Sequence, residues 1–168
     1  EGIHIYEHID RILEVFNVCW PMYAAMPAVL KEAIIRAYEK VGWDMTRSTN
    51  SLGRYYPTFA DVCREVDAYI DSSDYSADTR GDYKGSLKTR LESMTNGINR
   101  LLFCNGSVSD EELFDGRVIA DLSRVGSSEN KALIMGILVI KLQERRMCQR
   151  AASNETLKHI TVLEEAHK

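Results

Sequence analysis

The sequence predicts an α/β chain that is predominantly helical: four helices in the first hundred residues, then a βαβ unit. Three observations carry that prediction. Before residue 100, apolar residues recur at the 3.6-residue helical period in four separate stretches. Near residue 100 this pattern gives way to short apolar runs set between turn dipeptides. A long, nearly all-apolar helical stretch then lies between two such runs, which is the order of a βαβ unit with parallel strands and a right-handed crossover.

The elements follow in order. Ile5, Ile9, Ile12, Leu13 and Phe16 share one helical face opposite Glu7, Asp10, Arg11 and Glu14, and the helix ends near Trp20-Pro21. A second stripe runs through Val29, Leu30, Ala33, Ile34, Ala37, Tyr38 and Val41. Pro27 opens it where a missing N–H costs little, and Gly42 closes it. Residues 43–56 have no period and carry Ser, Thr, Asn and Gly, so they read as a loop. Thr58 with Asp61 three residues on resembles a capping box for a third helix through Val62, Cys63, Val66, Tyr69 and Ile70. Residues 72–82 are polar and turn-rich, and Leu87, Leu91, Met94 and Ile98 line a fourth helix. Asn105-Gly106 and Asp115-Gly116 mark turns around an acidic segment, 109–114. Arg117 to Leu122 reads as a strand. Gly126-Ser127-Ser128-Glu129 then opens a helix to about Arg150, apolar nearly all round from Ala132 to Ile140 and cationic at Arg145, Arg146 and Arg150. Ile160 to Leu163 is the second strand.

Composition bounds the function. With 168 residues and 45% hydrophobic content, the chain is expected to form about one soluble domain with a sizeable core. A net charge of −4 argues against a surface built to coat nucleic acid, while leaving room for a local basic patch. Cys19, Cys63, Cys104 and Cys148 are widely spaced with no C-x-x-C, so no zinc or redox motif is spelled out, and reduced thiols in a cytoplasmic protein are expected. The longest apolar run, 132–140, is too short to span a bilayer. The chain starts at Glu1 and ends directly after an acidic motif, so an excised piece of a longer protein is expected.

That acidic motif is the chemically informative stretch. The run 160–163 ends in Glu164 and Glu165. In an open α/β sheet, ligands bind beyond the carboxyl ends of the strands, so acids at a strand tip face the site. One carboxylate can hold Mg²⁺ while its neighbour orients or deprotonates the attacking water. The same pair also suits the first turn of a helix, where negative charge complements the dipole. Glu1-x-x-His4 and Glu164-x-x-His167 have the spacing of di-iron helix bundles, but those sites need such motifs in mid-helix together with further glutamates. Arg124 and Lys131, near the Asp121 end of the first strand, suit phosphate or DNA and equally suit a solvated helix start. No G-x-x-x-x-G-K-[ST] loop is present; 81–89 and 126–131 come nearest and have the wrong spacing.

Nearly the whole chain resembles the middle of the ATPase domain of the HerA/FtsK superfamily, in its bacterial HerA-like branch of DNA translocases and helicases. The resemblance is carried by Phe16-Asn17-Val18-Cys19-Trp20-Pro21-Met22, Tyr38 through Gly42-Trp43-Asp44, Tyr56-Pro57-Thr58, Leu87 through Ser93, Asp121-Leu122-Ser123 and Leu163-Glu164-Glu165-Ala166-His167. It implies a helical insert subdomain over 1–100 and part of a RecA-like P-loop core over 101–168, ending at the Walker B strand. It further implies Glu164 as the Mg²⁺-side acid, Glu165 as the catalytic glutamate, and His167 behind or beside them. Glu164 stands where many relatives carry Asp, which keeps the charge and moves it by one methylene. For the full-length protein the resemblance implies ATP and Mg²⁺ as cofactors, a homohexamer on DNA, no membrane, and in some cases a nuclease subunit as partner; the fragment itself is expected to be inactive and without bound ATP. The reading from a different class is a non-enzymatic helical module for oligomerisation or for binding a partner nuclease. A Walker A motif upstream in the full-length sequence discriminates the two.

Overall fold

The computed structural model describes residues 2–53, 55–104, 108–149 and 159–164. The chain is predominantly helical and forms two compact units, His4–Ser107 and Glu1–Ile3 with Val108–Lys168. No helix among the described residues is long and apolar enough to cross a membrane.

In the unit His4–Ser107, α1 spans Ile5–Cys19, with His4 as N-cap accepting from the Tyr6 N–H. Its apolar stripe puts Ile5, Ile9 and Phe16 in the core, and Trp20 just beyond its end is buried with them. α2, Met26–Lys40, has Pro27 in its first turn and buries Val29, Leu30, Ala33, Ile34, Ala37 and Tyr38. It ends at Gly42, whose φ of +93° lies in the left-handed region that an L-residue enters at a cost. A Cβ there would also crowd Leu52 at 3.1 Å. Residues 43–56, expected as plain loop, contain a two-residue antiparallel ladder between β1, Trp43–Asp44, and β2, Thr49–Asn50. Asn50 holds this turn by donating to the carbonyls of Val41 and Tyr55.

α3, Phe59–Asp71, is opened by the reciprocal Thr58/Asp61 box and packs on α2 along one side and on the following helices along the other. Its buried Glu65 accepts from Lys40 Nζ at 2.6 Å, which supplies the partner a buried carboxylate requires. The fourth helical stretch starts earlier than the stripe from Leu87 suggested: α4, Ala77–Tyr83, runs through a π turn at Lys84–Lys88 into α5, Thr89–Thr95. Leu87, Leu91 and Met94 are fully buried, but Ile98 is 58% exposed. The reason is local. Asn96 leaves the helical region and Gly97 turns at φ +59°, so Ile98 falls off the stripe before the short α6, Asn99–Leu102.

In the unit containing Val108–Lys168, α7 is Asp110–Phe114 and α8 is Ser128–Cys148. A Ser109/Glu112 box opens α7 and Ser127 caps α8. Gly116 follows α7 so closely that a Cβ would meet the Glu112 carbonyl oxygen at 2.9 Å. The buried apolar side chains among the described residues here are Phe114, Val125, Leu133, Ile134 and Ile140. The expected parallel pair is not formed among the described residues, where β1 and β2 are the only strands. Residues 118–122 and 160–163 carry no ladder, and Ile119 is 95% and Val162 77% exposed. An apolar β-branched run records a capacity for strand; the strand itself needs a neighbour's N–H and C=O groups.

Candidate functional site

The sequence-derived site residues fall at the end of the second unit. Glu164 is exposed and directly follows the apolar run 160–163. Glu165 and His167 lie outside the described residues. Near the start of α8, Asp121 forms a local turn by accepting from the Ser123 N–H at 2.8 Å. That backbone donor, then the Ser123 side chain and the Lys131 charge, hold the Asp121 carboxyl below the ordinary carboxylate range. Lys131 is therefore near Asp121, whereas Arg124 is exposed on the intervening turn. Among the described residues no group of three or more His, Cys, Asp and Glu side chains could hold a metal ion.

The organised polar cluster of this unit lies where α7 meets the C-terminal turns of α8. Arg145 forks between Glu111, at 3.0 Å, and Asp115. The guanidinium holds both carboxyls below their ordinary range, and they in turn push the Arg145 pKa up. Lys141 pairs with Asp110 at 2.8 Å. Arg146 reaches Asp115 at 3.3 Å, Gln149 at 2.7 Å and, through Nη2, the Phe114 carbonyl at 3.0 Å. The i, i+4 spacing of Lys141 and Arg145 puts both cations on the face of α8 that meets the acids of α7.

His159 completes this cluster. Its Nδ1 lies 2.9 Å from the Phe114 carbonyl oxygen, and its Nε2 lies 2.8 Å from Thr161 Oγ1. Leu142, Arg146, His159 and Thr161 line an open depression of about 390 Å³. The residue run that ends at Glu164 is thus tied at its first residue to the helical part of the unit. Sequence reasoning recognised the cationic end of α8 but missed both its acidic counterpart on α7 and the role of His159. The signals available were the capped acidic segment 109–115 and a lone histidine beginning an apolar run, and neither states which distant group it meets. No family model matches the chain, and comparison with curated proteins and with solved structures finds no match to it.

Proposed function

We propose that the chain supplies the helical insert and the Walker B segment of a P-loop ATPase of the HerA-like type, which hydrolyses ATP to move DNA. The observation that carries the reading is the order of the second unit: an apolar run at 118–122, the capped helix α8, then an apolar run ending in the exposed carboxylate of Glu164. Exposed aliphatic side chains on both runs suit strands that lie within a larger parallel sheet. In this reading Glu164 holds Mg²⁺, and Glu165 orients or deprotonates the attacking water. Mg²⁺ held there would supply charge neutralisation at the phosphates. The parent protein is then a cytoplasmic homohexamer on DNA, with a nuclease subunit as a candidate partner.

The test separates the two acids in the full-length protein. Glu165→Gln keeps size and removes the base, so nucleotide binding survives and turnover falls by roughly 10²–10⁴. Glu164→Gln weakens the Mg²⁺ dependence instead, because a neutral amide is a poor ligand for a hard cation. Near-normal ATPase rates in Glu165→Gln sink the assignment. A second reading, a non-enzymatic module through which copies of the chain associate, is favoured by the exposed Ile98, Leu101 and Leu102 around α6. Sedimentation of Leu101→Lys, Leu102→Lys against wild type tests it: an unchanged oligomeric state counts against it.

A further inference from the structure

Asn96 and Gly97 form the turn between α5 and α6. Asn96 has left the helix at φ −110° and ψ 154°, Gly97 turns at φ +59°, and both residues are exposed. Among the described residues neither the Asn96 side chain nor the Gly97 N–H is held by a hydrogen bond. We propose that Asn96 is a self-modification site, deamidating to isoaspartate and aspartate, and that the isoaspartate form releases α6 from the helices it packs on. The Gly97 amide nitrogen, once its proton is lost to water or hydroxide, attacks Asn96 Cγ; the new N–C bond closes a cyclic imide and the side-chain amide leaves as ammonia. Water then opens the ring. Cleavage between nitrogen and Cγ gives aspartate in the ordinary backbone, whereas cleavage between nitrogen and the main-chain carbonyl carbon routes the chain through Cγ as isoaspartate. No oxidant or reductant is consumed. Glycine in second position favours the closure because no side chain shields the attacking nitrogen, and attack within one chain needs no bimolecular encounter.

The surroundings make the reaction selective. Asn50 precedes Ser51 and is held on both ends of its amide, donating to the Val41 and Tyr55 carbonyls and accepting from the Leu52 N–H. Asn17, Asn99 and Asn130 lie within helices, which fix their backbones, and each precedes a residue with a side chain. Asp115-Gly116 closes the same ring only with a neutral carboxyl, and Arg145 and Arg146 keep Asp115 ionised. Asn105-Gly106 lies outside the described residues. The consequence follows from what spans Asn96. Asn99 Nδ2 donates to the Ser93 carbonyl at 2.8 Å, and Phe103 sits edge-on to Phe59 with ring centroids 4.9 Å apart. Isoaspartate adds a methylene to the main chain between Ser93 and Asn99 and leaves a carboxylate beside it. With Phe103 fixing the far end, the added length displaces Asn99 from Ser93. α6, Asn99–Leu102, is too short to persist without that tie.

The experiment ages the folded chain at mildly alkaline pH and reads it by peptide mapping, isoaspartyl methyltransferase labelling and amide exchange, with Asn96→Gln and freshly prepared Asn96→Asp alongside. Trypsin cuts after Arg90 and Arg100, so the peptide 91–100 reports Asn96 separately from Asn105. Asn96 should convert ahead of Asn17, Asn50, Asn99 and Asn130, faster as pH rises, with Asp115 intact. Aged wild type should then exchange amides over 98–102 about 10-fold faster or more, while Asn96→Gln shows neither the label at this site nor the faster exchange. Asn96→Asp, which adds the charge without the methylene, should stay close to fresh wild type. Conversion of Asn96 no faster than that of Asn99 or Asn130 would overturn the site. Conversion without faster exchange over 98–102, or Asn96→Asp exchanging like aged wild type, would overturn the release of α6.

Discussion

The two units are held together by different physics. In His4–Ser107, whole stripes are buried on helices that contact one another: Ile9 and Phe16 on α1, Met26, Val29 and Leu30 on α2, Val66 and Ile70 on α3, and Leu91 and Met94 on α5, with Leu87 in the π turn and Trp20 just past α1. In the unit that includes Val108–Lys168, the described core is a handful of side chains, and the contact of α7 with α8 is reinforced by exposed ion pairs at Asp110, Glu111 and Asp115. The difference teaches that a helical pattern of apolar residues suffices where the partner stripe is also present. α8 carries apolar residues nearly all round, yet Val139 is 46% exposed. Burial energy is realised only for surface that a neighbour covers.

The comparison breaks most readily in the core. Leu91→Ala removes a fully buried side chain from the packed unit, and a loss of about 2–5 kcal/mol is expected by urea denaturation. Leu133→Ala, equally buried in the other unit, is expected at the low end of that range, because sparser surroundings collapse more easily around the void. Equal losses at the two sites would remove the distinction.

Helix caps give a smaller test. Thr58 and Ser109 make the same reciprocal box, with Asp61 and Glu112 respectively. Thr58→Ala should cost about 1 kcal/mol of global stability, since α3 belongs to the cooperative core. Ser109→Ala should act locally, read as faster amide exchange in α7 with little change in the midpoint of the packed unit. A global effect of Ser109→Ala would mean that the two units unfold as one.

Acid gives the mildest perturbation. Glu111 and Asp115 have pKa values lowered from ordinary values of 4.5 and 3.8, with the Arg145 hydrogen bond as the leading cause. A depressed carboxylate contributes stability that is present above its unfolded value and is lost as pH falls through the folded one. The α7–α8 contact should therefore loosen only as pH drops below about 4.5, seen as exchange in α7 rising before the buried helices respond. Asp71, lowered by its Lys84 hydrogen bond, titrates in the same direction on the surface of α3, so a small early change there is also expected. High salt should mimic the effect on α7–α8 and leave the apolar core untouched.

Local chemistry was legible in the residues themselves. Thr58 with Asp61, Ser127 before α8, Pro27 at the start of α2 and Gly42 just past its end each mark a boundary through chemistry local to that helix end, so they could be read directly and stand as read. The four apolar stripes were legible for the same reason, although the π turn at Lys84–Lys88 and the break at Asn96-Gly97 shifted the last one. The candidate site was legible only as Glu164 and its neighbours in an apolar run.

What the chain alone determined is therefore the sequence of helices, their caps and the faces they must bury, because helix formation and capping are settled by contacts within a few residues. Tertiary structure decided the rest: that Arg145 meets Glu111 and Asp115, that Glu65 finds Lys40, that residues 118–122 and 160–163 form no ladder among the described residues, and that His159 reaches the Phe114 carbonyl. Each of these depends on a partner tens of positions away, and periodicity, which records how one segment faces its surroundings, is silent about which segment stands opposite.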